Sequence, residues 1–193
     1  MNAPAMIQAV SERFPAAVKT SHMYRGDATV VLRRESLLGV ARVLKEDPAF
    51  EMNFLMDLTA VDYSCFGKKS SPAFFSSSGV MVSPSPVIPD ADPWPGPTGP
   101  ERFVVVYHLY SLPLKHRLRL EVPVEEADAE VDSLTSIWGG ANWLEREVWD
   151  MFGIRFRAHP NLIRILMYEE FAGHPLRKDY PVNKRQPLIG PVN

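Results

Sequence analysis

Three carboxylates in the last third of the sequence are, by residue type, the groups best suited to acid–base or metal chemistry. Glu145, Glu147 and Asp150 lie on one short predicted helix, within a span of six residues. On a helix, Glu145 and Glu147 point about 200° apart, so only Glu147 and Asp150 are neighbours. Arg146 is spaced to pair with Asp150 one turn later. We therefore predict a solvated or interface-forming face here, and not a shared metal or catalytic site.

Two histidines form the next candidate group, together with Asp179. His159 and His174 each precede a proline, which biases both backbones towards an extended conformation. Metal-ligating histidines normally come at closer and more regular spacing. We predict that these histidines form hydrogen bonds that fix an extended chain. The alternative is a stand-alone metal hydrolase that uses Glu147, Asp150 and His159 and is active as an isolated chain.

The other signatures of catalysis are weak in this sequence. Cys65 is the only cysteine, so the chain alone cannot supply the thiolates of an iron–sulfur cluster or of a cysteine-rich zinc site. We find neither a glycine-rich dinucleotide fingerprint nor a phosphate-binding loop. Four aromatic residues lie close together within the 15 residues 138–152. Of these, Trp138 is expected in the core, and one or two of the others are expected to anchor a partner: Trp143, Trp149 and Phe152.

Composition and charge narrow the class of protein further. The chain has 193 residues, 46% hydrophobic and 23% charged, with a formal net charge of −2. This balance gives no reason to expect nucleic acid as a partner. No apolar run reaches the roughly 20 residues of a membrane-spanning helix, and the opening residues do not resemble a secretory signal. We expect a globular protein of the bacterial cytoplasm, with a peripheral position on a membrane complex left open.

Hydrophobic periodicity predicts an α+β order of elements. A helix is expected from Ile7, Val10 and Phe14, a strand over 28–32, and a helix capped by Ser36 that ends before Pro48. The segment 54–62 is predicted as a helical turn that feeds a strand. Two antiparallel strands are expected over 103–110 and 115–122. A helix is then predicted from Ala127, Val131, Leu134 and Trp138, and another with an Asn142–Glu145 capping box, a stripe of Leu144, Val148 and Met151, and Gly153 at its end.

The domain prediction follows from these elements. We expect one two-layer α+β domain over 1–152, with a mixed, partly antiparallel sheet and packed helices. Residues 67–100 hold eight prolines, seven serines and four glycines, which indicates an insertion with little capacity to pack. Residues 153–193 show no sustained period and are predicted to form an extended docking arm. Because this arm is rich in large apolar side chains and has seven basic residues after position 150, we expect it to bury that surface on another protein.

Several ordered segments resemble one known family. The segment Glu145-Arg-Glu-Val-Trp-Asp-Met-Phe-Gly153, followed by His159-Pro-Asn-Leu, is similar to the signature of the 30 kDa subunit of NADH–quinone oxidoreductase (respiratory complex I), also called its C subunit. Arg164-Ile-Leu-Met and Gly173-His-Pro-Leu-Arg-Lys-Asp-Tyr-Pro181 are similar to the segment that follows it. Leu58-Thr-Ala-Val-Asp62 and Tyr107-His-Leu-Tyr-Ser-Leu112 also match. The resemblance covers most of 28–66 and 101–181.

The resemblance implies a non-catalytic scaffold subunit in the peripheral arm of a proton-translocating complex. That complex passes electrons from NADH through FMN and iron–sulfur clusters to quinone, with every cofactor in partner subunits and none in this chain. The implied partners are the B, D and I subunits, at the cytoplasmic face of the bacterial inner membrane, with membrane association only through the complex. The nearest alternative is the equivalent subunit of a related membrane-bound hydrogenase or coenzyme-specific dehydrogenase.

The residues that we predict to form subunit interfaces lie in the matching segments between residues 145 and 181. They are Glu145, Arg146, Glu147, Trp149, Asp150, His159, Arg164, His174, Arg177, Lys178, Asp179 and Tyr180.

Overall fold

The structure is a computed structural model, and it describes residues 1–66, 100–181 and 183–186. Its elements, in chain order, are α1 (Ala3–Arg13), β1 (Val18–Tyr24), β2 (Asp27–Leu32), α2 (Leu37–Glu46), β3 (Phe54–Asp62), β4 (Phe103–Tyr110), β5 (Arg117–Val124), β6 (Glu130–Asp132), α3 (Ala141–Phe152) and β7 (Arg155–Arg157). The predicted insertion falls almost wholly on residues 67–99, which lie outside the described residues, so its role stays a prediction.

Five strands form one mixed sheet in the order β1-β2-β5-β4-β3. Strands β2 and β5 are parallel, and the other neighbours are antiparallel. Alternate residues of the inner strands bury one face, for example Phe103, Val105 and Tyr107 of β4, with Leu118 and Leu120 of β5. Helix α1 contacts β2 and β5, and α3 contacts β3. The predicted α+β class with a mixed sheet and packed helices is confirmed.

Strand β1 was not predicted, although a local signal for it exists. Tyr24 pairs with Asp27 across a two-residue connection, Arg25-Gly26. Both connecting residues have positive φ, 50° and 84°. Tight hairpin turns of this kind need a left-handed backbone, which glycine adopts at little cost. An X-Gly dipeptide between two β-rich runs is therefore the feature that indicates this hairpin.

The predicted helical turn at residue 54 is wrong, because β3 is a strand along its whole length. The register of β3 against β4 shifts between Leu55 and Asp57. An extra residue in one strand breaks the alternation of side chains, so the pattern loses its period of two at this point. Next to this irregularity, the Leu58 backbone N–H donates to the Asp57 carboxylate at 2.8 Å.

The predicted helix through Ala127 and Trp138 is also wrong. The segment forms a short 3-10 turn, strand β6 and further turns. Val131 of β6 pairs in parallel with Phe156 of β7, and both are buried. The apolar spacing of this segment thus reflects long-range pairing, which a local periodicity cannot reveal.

The predicted helix caps are only partly correct. Helix α2 begins after Ser36 as expected, but the Ser36 side chain forms no capping hydrogen bond. Helix α3 begins at Ala141 with Gly140 as its cap, so the predicted Asn142–Glu145 capping box is wrong. The end of α3 at Gly153 is confirmed, because this glycine has φ of 77° and its N–H donates to the Trp149 carbonyl.

Candidate functional site

The candidate site is the surface where the segment after α3 folds back onto the domain, and Asp150 is its first anchor. The Asp150 side chain is fully buried. Its Oδ2 accepts three consecutive backbone N–H groups, from Ile165 at 3.1 Å, Leu166 at 2.9 Å and Met167 at 2.8 Å. Its Oδ1 accepts a hydrogen bond from the Arg164 guanidinium. One carboxylate thus orders an irregular turn of the chain.

Charge and hydrogen bonding together explain how this carboxylate remains ionised. Burial alone would raise the pKa of Asp150, but the three backbone N–H groups and the Arg164 guanidinium hold that pKa below its usual range. The predicted pairing of Arg146 with Asp150 is wrong. Arg146 instead donates to the carbonyls of Ile163 at 3.1 Å and Arg164 at 3.0 Å. Hydrogen bonds of Arg146 and of Arg164 therefore both connect this turn to α3.

Glu145 is not part of a solvated face, and the expectation of such a face is wrong for both Glu145 and Asp150. The Glu145 side chain is fully buried and turned towards the β6–α3 connection. It accepts hydrogen bonds from the Ser133 hydroxyl at 2.6 Å and the Leu134 N–H at 2.7 Å. Burial raises the pKa of Glu145 to about 7, although these two bonds oppose the rise. Only Glu147, of the three carboxylates, is exposed.

The two histidines form hydrogen bonds that fix the chain, as predicted, but the residues around them form turns and bends and not an extended segment. His159 accepts the Asn161 N–H on Nδ1 at 3.0 Å and donates from Nε2 to the Asn142 carbonyl at 3.1 Å. His174 donates from Nδ1 to the Asp150 carbonyl at 3.0 Å. Burial lowers the pKa of His174, which favours the neutral ring. Asp179 is not grouped with either histidine, because its carboxylate binds Arg102.

The hydrolase site considered as an alternative does not form. Both Asp150 oxygens and both His159 nitrogens already have partners within the chain, so neither group is free to bind a metal ion with Glu147. Across 1–66, 100–181 and 183–186, no group of three or more His, Cys, Asp or Glu side chains could hold a metal ion. Over the same ranges, no helix is both long and apolar enough to cross a membrane.

Close contact between His174 and Gly153 makes this glycine a sensitive position. A Cβ atom on Gly153 would lie 2.7 Å from the His174 ring, and the positive φ of Gly153 also disfavours any side chain. We expect Gly153→Ala to cost about 2 to 3 kcal/mol, of which about 1 to 2 kcal/mol is left-handed strain. Chemical denaturation would measure this cost.

Gly139 provides the matched control for that substitution. A Cβ on Gly139 would meet nothing within 4 Å and its φ is not positive, so Gly139→Ala should change stability by less than about 0.5 kcal/mol. Adding His174→Ala should remove the steric part of the Gly153→Ala cost. Equal effects of the two glycine substitutions would contradict the contact.

A second anchor holds the chain further along, at the carboxyl end of β3. Arg177 donates from Nε to the Phe152 carbonyl at 2.6 Å, and the Leu176 N–H donates to the Met151 carbonyl. The Lys178 N–H donates to Oδ2 of Asp62 at 2.9 Å. Asp62 is buried and paired with Arg102 at 2.8 Å. Sequence reasoning missed both residues as site components, although Asp62 ends one of the matching segments.

Aromatic residues divide between the core and the surface. Trp138 is buried, as predicted, and its Nε1 donates to the Met52 carbonyl at 3.1 Å. Trp143 is exposed beneath the Arg146 guanidinium, 5.1 Å from the ring centroid. Phe171 stacks on Tyr180 with the centroids 6.0 Å apart. The segment therefore has a small aromatic cluster of its own, outside the main core.

The outer side of the anchored segment exposes several large apolar side chains beside charged ones such as Glu169 and Lys178. The Leu166 backbone is bonded to Asp150, whereas its side chain is 55% exposed. Ile163 and Leu176 are similarly exposed, and so is Trp143 on the neighbouring turn of α3. We define the arm surface as Trp143, Ile163, Leu166 and Leu176. The backbones of Ile163, Leu166 and Leu176 are hydrogen-bonded to residues of α3. Their exposed side chains are therefore held in position on the outside.

Fold and site together define an α+β domain with an anchored segment that exposes large apolar side chains, features typical of a protein that docks onto other proteins. A family model described as the 30 kDa subunit of respiratory-chain NADH dehydrogenase matches residues 30–186. The chain belongs to this family.

Individual relatives agree with that assignment. The C subunit of NADH-quinone oxidoreductase from Citrifermentans bemidjiense is 42% identical over 94% of this chain and 92% of its own length. The protein of the same name from Geobacter sulfurreducens is 39% identical over 94% and 92%. Among solved structures, a trypsin-resistant fragment of Nqo5 has a TM-score of 0.58 and 31% identity, covering 82% of this chain and 98% of the fragment.

A more distant structural relative shows the fold alone. A chain of an archaeal respiratory membrane complex, the membrane-bound sulfane sulfur reductase, has a TM-score of 0.61 at 20% identity, covering 93% of this chain and 86% of that chain.

Proposed function

We propose that this chain is the 30 kDa scaffold subunit of a proton-translocating NADH–quinone oxidoreductase. In that complex electrons pass from NADH through FMN and iron–sulfur clusters to quinone, and all of these cofactors belong to partner subunits. The observation that carries the proposal is the match to the 30 kDa subunit family over 30–186, which includes α3 and the segment after it. This chain contributes contact surfaces and no reacting group.

The arm is the part of the chain that we propose makes the contacts. We keep for it the bounds predicted from the sequence, 153–193, although Ile154 and Phe156 within it are buried in the domain core. Its partners would be the B, D and I subunits, at the cytoplasmic face of the bacterial inner membrane. A surface that is already ordered binds at a lower entropic cost than a segment that must fold on binding. The two anchors, at Asp150 and Asp62, support this mode of docking.

The twelve predicted interface residues therefore divide into two groups with different roles. Buried or half-buried side chains would shape the arm from beneath: Glu145, Arg146, Trp149, Asp150, His159, Arg164, His174 and Arg177. Glu147, Lys178 and Asp179 are exposed and Tyr180 is half-buried, so these could meet a partner directly. The arm surface supplies the apolar part of the contact.

A double substitution on the arm surface tests the proposal. Ile163→Glu with Leu166→Glu places two charges where we expect an apolar contact, while the side chains replaced are half exposed in the isolated chain. We expect the purified subunit to keep its melting temperature within a few degrees. Its affinity for the rest of the complex should fall at least thirtyfold, the equivalent of roughly 2 kcal/mol. Native gels and quinone reductase activity would measure assembly.

Leu112→Glu is the matched control, because Leu112 is 57% exposed but lies in the turn between β4 and β5. It should leave assembly unchanged. Normal assembly of the arm double variant, or equal loss with Leu112→Glu, would contradict the docking role of the arm. Mass spectrometry of the co-purifying subunits distinguishes the NADH complex from its rivals, since a related hydrogenase or coenzyme-specific dehydrogenase would bring different electron-input subunits.

A further inference from the structure

Arg102 lies outside the arm and is not among the predicted interface residues, yet it contacts the arm directly. It precedes β4 by one residue and pairs with the buried Asp62 carboxylate at the end of β3. The same guanidinium binds both oxygens of Asp179, with Nη2 to Oδ1 at 2.8 Å and Nη1 to Oδ2 at 3.0 Å. Glu126, after β5, also accepts from Nη1. One side chain thus joins β3, β4, the end of β5 and the arm.

The Asp62 carboxylate binds both Arg102 and the backbone of the arm. Its Oδ2 accepts from Arg102 and from the Lys178 backbone N–H, while its Oδ1 accepts from the Ser64 N–H at 2.9 Å. The Lys178 backbone and the Arg102 guanidinium therefore share one oxygen atom. Because Arg102 neutralises a carboxylate that is inaccessible to water, it also keeps this acceptor in place for the arm.

The ring of Phe103 contacts the guanidinium groups of both Arg102 and Arg177. Phe103 is fully buried, with the Arg102 guanidinium 4.8 Å and the Arg177 guanidinium 5.1 Å from its centroid. A cation over an aromatic face is attracted by the ring quadrupole, more strongly where water is excluded. Arg177 belongs to the arm and donates to the Phe152 carbonyl. The arm is thus aligned with β4 by stacking as well as by ion pairs.

We infer that Arg102 is a positioning residue of the arm, fixing residues 176–180 against the end of the sheet so that Leu176 of the arm surface is presented in one orientation. This inference rests on the proposed docking function for its consequence, but not for the contact itself. Arg102 acts through Asp62 and Asp179. Loss of its bond to the arm should loosen 176–180 and leave the Asp150 anchor intact, since the Asp150 anchor shares no side chain with this cluster.

Asp179→Asn tests the inference without disturbing the domain, because Asp179 is 58% exposed whereas Asp62 is buried. Hydrogen exchange of the purified full chain would be followed at the amides of Leu176, Lys178 and Tyr180. We expect exchange there to accelerate roughly fivefold, as for loss of one partly exposed bidentate ion pair. The amides of residues 165–167 serve as an internal reference and should not change.

The matched control is Asp128→Asn, because Asp128 is 62% exposed and forms its ion pair, at 2.7 Å, with Arg34 instead of Arg102. It removes the same charge and one arginine contact, and should leave exchange at 176–180 unchanged. Asp179→Glu keeps the charge and should restore slow exchange. Arg102→Gln should accelerate exchange at 176–180 more than Asp179→Asn does, provided that it folds; if it does not, the Asp179 variants decide.

The outcomes separate the positioning role from the docking role. Faster exchange confined to 176–180, together with weaker assembly on native gels, supports both. Faster exchange with normal assembly supports positioning by Arg102 and overturns docking by this part of the arm. Unchanged exchange in Asp179→Asn, or equal acceleration at 165–167, overturns the positioning role, because the first shows no clamp and the second shows only a global loss of stability.

Discussion

Asp150→Ala is expected to destabilise the purified chain by about 3 to 5 kcal/mol, the usual cost of removing one partner from a buried ion pair. The substitution leaves the Arg164 guanidinium without its carboxylate and leaves three backbone N–H groups without an acceptor. For a chain of this size the melting temperature should fall by roughly 10 °C. Chemical denaturation followed by circular dichroism would measure the loss.

Two further variants separate charge from hydrogen bonding at this position. Asp150→Asn keeps an oxygen that can accept backbone N–H groups but removes the charge that pairs with Arg164, so its cost should be smaller. Glu147→Ala removes an exposed carboxylate from the same helix and should change stability by less than about 0.5 kcal/mol. If Asp150→Ala cost no more than Glu147→Ala, Asp150 would not be the anchor of the arm.

Glu145→Gln is expected to stabilise the chain at pH 8 and to have little effect at pH 4.5. Burial raises the pKa of Glu145 from 4.5 to about 7, so the folded state holds a proton that the unfolded state has lost. The contribution of this group is therefore fully present below pH 4.5 and is lost as the pH rises to about 7. The total loss is about 3 kcal/mol at 1.36 kcal/mol for each pKa unit.

Glutamine can retain both hydrogen bonds of the buried carboxyl group without carrying a charge. Its carbonyl accepts from the Leu134 N–H and its amide donates to the Ser133 hydroxyl, in place of the present contacts. The difference in unfolding free energy between wild type and variant should grow between pH 4.5 and 7 and then level off. Taking the difference cancels the titration of His22, His108 and His174, whose pKa values are lowered by burial and whose contributions have the opposite slope. A difference independent of pH would contradict a buried, titrating Glu145.

Local sequence patterns predicted the elements whose stabilising contacts are themselves local. Strand β4 has a continuous β-branched and aromatic run, α3 has a buried stripe that includes Val148 and Met151, and Gly153 ends it. The pattern failed at β6, because Val131 is buried by pairing with Phe156, twenty-five residues away along the chain. Helical spacing and long-range pairing leave the same apolar residues in the sequence.

In the candidate site, local sequence patterns likewise did not reveal which polar residues are buried or which groups they bind. Asp150 was assigned to a solvated face because charged residues are usually exposed, yet its partners are backbone groups of residues 165–167, which carry no signature in the sequence. Arg102 was missed for a related reason, since nothing near it indicates that Asp62 and Asp179 converge on it. Family resemblance located the matching segments correctly, but it did not show which of their residues face inwards.

The position of β5 within the sheet has a consequence for how the chain reaches its fold during synthesis. Strands β1 and β2 form one hairpin and β3 pairs with β4, but only β5 borders both pairs. Residues 29–31 of β2 can therefore pair along their second edge only after residues 119–121 of β5 have been synthesised. Pairing over some ninety residues is slow compared with hairpin formation. On the ribosome we expect the β1–β2 hairpin and the β3–β4 pair to form first, with the sheet and the helices that cover it closing only after β5 has emerged.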